Sequence, residues 1–109
     1  MSADLRPDLD DCPPEEAPPG ALSRELAIVN RKGLHARASA KFVQTVERFE
    51  ADVTVSRCGE TVGGRSIMGL LTLAAAQGTT IRVDATGPQA EAALDALAAL
   101  LAGRFGEDE

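Results

Sequence analysis

Five of the chain's six prolines (Pro7, Pro13, Pro14, Pro18 and Pro19) lie within the first 20 residues, among six acids (Asp4, Asp8, Asp10, Asp11, Glu15, Glu16) and one base, Arg6. A backbone so interrupted cannot continue a helix or complete a sheet ladder. Its few apolar side chains cannot offset the entropy of ordering it. Residues 1–21 are therefore expected to form a disordered acidic tail, with a docking or regulatory arm as the functional alternative. Whatever folds must come from 22–105, followed by a short acidic tail, 106–109. That length supports one small domain with one core.

The formal charge of −6 has to be divided along the same lines. The arm carries −5, and Glu107, Asp108 and Glu109 add −3. Segment 21–106 keeps eight acids against ten bases, or +2. Overall acidity argues against non-specific nucleic-acid binding, and three Phe with no Trp or Tyr give few stacking platforms. No apolar run approaches the roughly 18 residues of a spanning helix. The N-terminus lacks a basic stretch leading into an apolar one, so neither membrane insertion nor a secretory signal is read, and a cytoplasmic location is expected. Cys12 and Cys58 are then expected to be reduced thiols. Neither has a Cys or His at metal-ligand spacing, so no metal is expected.

Within the domain, hydrophobic periodicity sets the element order. Ser23–Asn30 alternates as a strand, with Leu26 and Ile28 on one face. Residues 36–49 place Phe42, Val43, Val46 and Phe49 at helical spacing. Asp52–Arg57 returns to period two, and Cys58-Gly59-Glu60 turns into a short strand through Val62. Ser66 is a good N-cap for a short helix beginning at Ile67. Thr79–Ala85 alternates, with Ile81, Val83 and Ala85 inward. Gly87-Pro88 opens a final helix that Gly103 stops. The order βαββαβα implies a two-layer α+β domain: a four-stranded antiparallel sheet with helices on one face and the other face solvated.

The chain has one histidine, His35, placed where the first strand gives way to the first helix. A helix start presents unpaired N–H groups and a partial positive end, which suits an anion. Arg37, two residues on, adds a guanidinium fork suited to phosphate. An imidazole there is disfavoured as the cation, leaving a ring nitrogen able to accept a phosphoryl group. The plainer alternative is a His that only caps the helix. No carboxylate and water constellation accompanies it, so no hydrolase or kinase machinery is read.

At Gly33-Leu34-His35-Ala36-Arg37 the sequence resembles the active-site signature of the histidine-containing phosphocarrier (HPr) family of the phosphoenolpyruvate-dependent phosphotransferase system (PTS). Arg65-Ser66-Ile67-Met68-Gly69-Leu70-Leu71 resembles the family's regulatory-serine motif, and Gln77-Gly78-Thr79 and the Gly87-initiated helix fall at matching places. The resemblance spans about residues 23–105. It implies an open-faced β-sandwich of four antiparallel strands and three helices. It implies a monomeric carrier rather than an enzyme, with no cofactor, phosphorylated on His35 Nδ1 by Enzyme I and donating to IIA-type partners, while Arg37 stabilises the phosphate. The family commonly has Pro after this Arg; here it is Ala38, which forgoes about 0.4–1 kcal/mol of pre-organisation. Ser39 is a candidate extra donor near the helix start.

The same resemblance makes Ser66 the target of an HPr kinase/phosphorylase. Ile67, Met68 and Leu71 cannot all enter one core from a two-turn helix, so they are either mostly core or a small docking patch for Enzyme I and IIA partners. Arg31, Lys32, Arg37 and Arg65 would steer acidic partners toward His35. The relay could serve sugar uptake or, as in nitrogen-type chains, regulation. A different class of function also remains open: a regulatory protein whose Ser66 phosphorylation state controls a kinase or transcriptional regulator.

Overall fold

The computed structural model describes residues 19–107, so the expected arm lies almost wholly outside the described residues. The elements are β1 (Leu22–Ala27), α1 (Ala36–Val46), β2 (Asp52–Arg57), β3 (Glu60–Gly63), α2 (Ile67–Thr72), β4 (Thr80–Thr86), α3 (Ala90–Ala102) and a closing 3₁₀ turn, Arg104–Gly106. The sheet order is β1-β4-β2-β3, with every neighbouring pair antiparallel. This is the open-faced α+β sandwich that the alternation and cap residues imply.

Alternation sorts each strand between two environments. Ile81 and Val83 on β4 and Val55 on β2 are fully buried, packed with Phe42 and Val46 of α1 and Leu94, Leu97 and Leu101 of α3. The opposite sheet face is polar but less solvated than its composition suggests. Asp84 is only 3% exposed and Ser56 2%. Asp84 lies on the central strand, accepting from Ser23 Oγ and from Arg82 Nε at 3.1 Å, and Ser56 and Thr61 share a 2.8 Å hydroxyl bond. Ser23 of the neighbouring β1 and Arg82 of the same strand thus satisfy a carboxylate that would be costly to bury alone.

Strand ends shift by a residue at β3 and β4, and three further boundaries differ from the periodicity, each for a local reason. α1 stops at Val46 rather than Phe49, because Arg48 and Phe49 donate to carbonyls three residues back. That tighter winding keeps Phe49 on the apolar side and prolongs the helical pattern. β1 ends at Ala27, yet Ile28 continues pairing irregularly: its N–H donates to Thr79 O at 2.8 Å and its carbonyl accepts from Gly78 N at 2.9 Å. Pro88 precedes α3 instead of opening it. Gln89 is the N-cap residue, but its side chain accepts from Glu50 N at 2.7 Å and makes no cap bond.

Cys58 and Gly59 form the two-residue hairpin loop between Arg57 and Glu60, both with positive φ (54° and 84°), as a type I′ turn requires. Cys58 is disulfide-bonded, against the expectation of a reduced thiol. An exposed turn leaves the sulfur open to another thiol, which sequence spacing alone does not reveal. Cys12 lies outside the described residues.

Candidate functional site

The site starts with a turn that fixes the backbone ahead of α1. Gly33 has φ +68°, and a Cβ there would lie 2.6 Å from the Ala75 carbonyl oxygen, so both conformation and space require glycine. Asn30, fully buried, receives the Gly33 N–H on its carbonyl at 3.2 Å and donates Nδ2 to Gly33 O at 2.8 Å. Leu34 N donates to Ala75 O at 2.9 Å, and its side chain enters the core. The residue that follows, His35, is thereby delivered to the helix start with little backbone freedom.

His35 is the N-cap of α1, with φ −81° and ψ −175°. Its carbonyl accepts from Ser39 N at 2.8 Å, closing the first helical turn. Its Nδ1 accepts the Arg37 backbone N–H at 3.3 Å. On the other side of the ring, Nε2 lies 2.6 Å from Glu107 Oε2. A backbone amide can only donate and a carboxylate can only accept. The two bonds together therefore assign the ring proton to Nε2 and the lone pair to Nδ1.

Glu107 reaches the ring because the chain doubles back after α3. Phe105, 1% exposed, plugs the core, and its carbonyl accepts from Lys41 Nζ at 2.6 Å. Phe105 and Gly106 both take positive φ (57° and 79°), reversing the direction of the chain. The Glu107 carboxylate then takes the His35 bond on Oε2 and Asn30 Nδ2 on Oε1 at 3.1 Å. The His35 hydrogen bond holds its carboxyl below the usual glutamate value, partly opposed by desolvation and aided by Asn30 and the Lys32 charge. Glu107, read from sequence as part of a short acidic tail outside the folded domain, thus lies against the histidine.

The other sequence candidates fall around this centre. Arg37 is exposed, in the first turn of α1. Ala38, at the position where Pro is common, is fully buried. Ser39 is not an outward donor as expected; it is fully buried and gives its hydroxyl to Leu34 O at 3.3 Å. Ser66 caps α2, its Oγ accepting Gly69 N at 2.9 Å. On α2, which packs against α1, Met68 is 72% and Ile67 39% exposed, Leu71 is half-buried and Leu70 supplies the core contact. Two of the three apolar candidates therefore face outward, and one lies at the margin. Asn30 and Glu107 were missed as site residues. Asn30 carried a weak signal, a polar residue three places before a glycine; Glu107, 72 residues from His35, carried none.

The fold and site define a small open-faced sandwich that presents a capped histidine at a helix start. A family model described as "PTS HPr component phosphorylation site" matches residues 22–103. The chain is 49% identical over 88 residues to the phosphocarrier protein HPr of Cupriavidus necator, covering 81% of this chain and 99% of that protein. It is 38% identical over 86 residues to the phosphocarrier protein NPr of Shewanella violacea, covering 79% and 94% respectively. Among solved structures, HPr-C-His from Thermoanaerobacter tengcongensis superposes with a TM-score of 0.77 at 36% identity, over 81% of this chain and 99% of that one. The chain belongs to the HPr family: it is a phosphocarrier protein of the PTS, not an enzyme. No helix among the described residues is long and apolar enough to cross a membrane.

Proposed function

We propose that His35 Nδ1 accepts a phosphoryl group from phospho-Enzyme I, with phosphoenolpyruvate as ultimate donor, and hands it to a IIA-type partner in the cytoplasm. The observation that carries this reading is the arrangement of the ring: Nδ1 holds a lone pair behind one 3.3 Å amide contact, at the N-terminus of an 11-residue helix. When Nδ1 bonds phosphorus, the Arg37 amide exchanges the ring nitrogen for a phosphoryl oxygen. The first-turn N–H groups of Ala36 and Ala38, which have no intrahelical partner, point the same way. The exposed Arg37 guanidinium closes over the phosphate from solvent.

Ser66 serves as a regulatory target of an HPr kinase/phosphorylase. Its exposed hydroxyl adjoins Ile67 and Met68, the patch on which Enzyme I and IIA partners would dock the monomeric carrier. Phosphate there adds roughly −1.5 to −2 charge to that surface without touching the core. A Ser66→Asp variant should accept phosphate from Enzyme I more slowly than the native chain while melting at nearly the same temperature.

The deciding experiment mixes the protein with Enzyme I and labelled phosphoenolpyruvate. Acid-labile label that His35→Ala abolishes is the expected result, and no label on the native chain sinks the carrier reading. The exposure of Ser66 also favours a second reading, a regulatory protein acting through its phosphoserine state. That reading requires label at Ser66 from ATP and none at His35.

A further inference from the structure

We propose that the Pro-rich segment 12–18 straps diagonally across the open face of the sheet, fastened at its far end by a disulfide between Cys12 and Cys58, and that reduction of this bond uncovers the face.

Both ends of the strap have fixed places. Cys58 is disulfide-bonded, no free thiol remains among the described residues, and the sequence holds one other cysteine, Cys12. Within one chain that is the partner. Cys58 sits in the exposed hairpin turn that follows β2. At the other end, Pro19 and Gly20 form a turn directly before β1, with Gly20 at φ +82°, so the chain enters β1 from a reversal.

The open face is dry along the line between those ends. Leu22 lies opposite Ala85, and Ala85 opposite Val53, so Cys58 is two strands across and five residues further along. That diagonal passes over Asp84 and Arg82 of β4 and Ser56 of β2, the groups that are sheltered from water. Arg82 reaches over Ser56 and Asp84 and shades them, but its own side chain, on the outer side, is only 15% exposed. Off the line the same face is exposed, at Glu25 and Ala27 on one side and at Asp52 and Thr86 on the other. A bare face would not dry along one diagonal and stay wet at both flanks.

Reach and composition agree with that path. Five residues along and two strand spacings across make about 20 Å. Ten residue steps from Cys12 to Leu22 extend to roughly 31 Å in a proline-rich chain, enough for the crossing and the turn at Gly20. Pro13, Pro14, Pro18 and Pro19 lack the N–H that an added edge strand beside β1 would donate, so the segment lies over the face instead of extending the ladder.

The bond forms by thiol–disulfide exchange with a small disulfide such as oxidised glutathione. One cysteine thiolate attacks it, giving a mixed disulfide and one released thiolate. The second attacks the chain's sulfur in that mixed disulfide, closes Cys12–Cys58 and releases the other half. The chain loses two electrons and two protons, and the acceptor leaves as two thiols. In a reducing compartment such a bond is transient, which makes the strap responsive. Once it is reduced, only its composition orders the segment, and that composition is a solvated tail's.

The test uses the full-length chain and a Cys12→Ser variant, each equilibrated with oxidised or reduced glutathione. In the oxidised native monomer, peptide mapping should find residue 12 joined to residue 58. Nuclear Overhauser contacts should link segment 13–18 with Ser56, Arg82 and Asp84. Reduction should erase those contacts and lower the melting temperature by at least about 5 °C, and C12S should match the reduced native chain in both buffers. Cys58 joined only to glutathione or to a second copy overturns the pairing. A Cys12–Cys58 bond without contacts on the sheet overturns the strap, and contacts that persist after reduction overturn its redox control.

Discussion

Two helices in this protein begin with a side chain that accepts a backbone amide, and the two starts are built differently. At α2, Ser66 Oγ takes Gly69 N at 2.9 Å, with Ile67 and Met68 exposed beside it. At α1, His35 Nδ1 takes Arg37 N at 3.3 Å, but the ring is also held from behind by Glu107, and its backbone by Gly33, Asn30 and the Ala75 carbonyl. A hydroxyl rotates to suit one bond and needs no further support. An imidazole has two distinct nitrogens, and only a partner on the second decides which one is reactive. The comparison teaches that capping supplies a location, whereas chemistry at that location takes long-range packing.

If so, damage to the distal packing should fall on the His35 end and spare the Ser66 end. Phe105→Ala removes the plug that returns the chain toward His35 and should cost about 3–5 kcal/mol, the range for large aromatic truncations in a core. Urea unfolding measures the loss, and the His35–Glu107 contact should weaken in nuclear Overhauser spectra while the Ser66 cap remains. Gly33→Ala forces a Cβ to 2.6 Å from Ala75 O at φ +68°. It should destabilise by more than about 1 kcal/mol and lower the rate of phosphorylation by Enzyme I, since the backbone must shift directly before His35. Ser66→Ala loses one cap bond, about 1 kcal/mol, and should leave the ¹⁵N shifts of the His35 ring unchanged.

The smallest effect concerns pH. The Glu107 carboxyl is held below its ordinary value in the folded state. Its stabilising contribution is therefore complete above the unfolded value and lost as pH falls through the folded one. Comparing native protein with E107Q by urea midpoints between about pH 6 and pH 3, the native advantage should narrow toward the acid end. A constant gap would mean that the pair contributes nothing to the fold.

What the sequence made legible was local. The period-two run at Asp52–Arg57 became β2 with the same limits, Cys58-Gly59 made the hairpin turn, and Ser66 capped α2. His35 stood at the start of α1, where its own flanking residues place it. Each of these rests on backbone hydrogen bonds within a few residues, which residue type and spacing report directly. The rest depended on contacts between distant segments. Phe105 could be read only as a residue past the helix stop, yet its burial carries Glu107 to the ring. Ser39 looked like a donor beside the histidine, but a helical position fully buried against Leu34 O turned its hydroxyl inward. Asn30 closed a strand in the pattern and proved to brace both sides of the site.

The place of β4 also bears on how the chain acquires its structure. β4 pairs with β1 and β2 at once, and the Ser23–Asp84 bond joins residues 61 apart in sequence. Only β2 and β3 can zip as a local hairpin, on the microsecond scale. The sheet's middle must wait for its last strand to close a long loop, a step whose entropy cost comes before its reward. Folding should therefore be governed by the docking of β4 rather than by formation of any helix, and substitutions that slow it should concentrate on Ile81 and Val83.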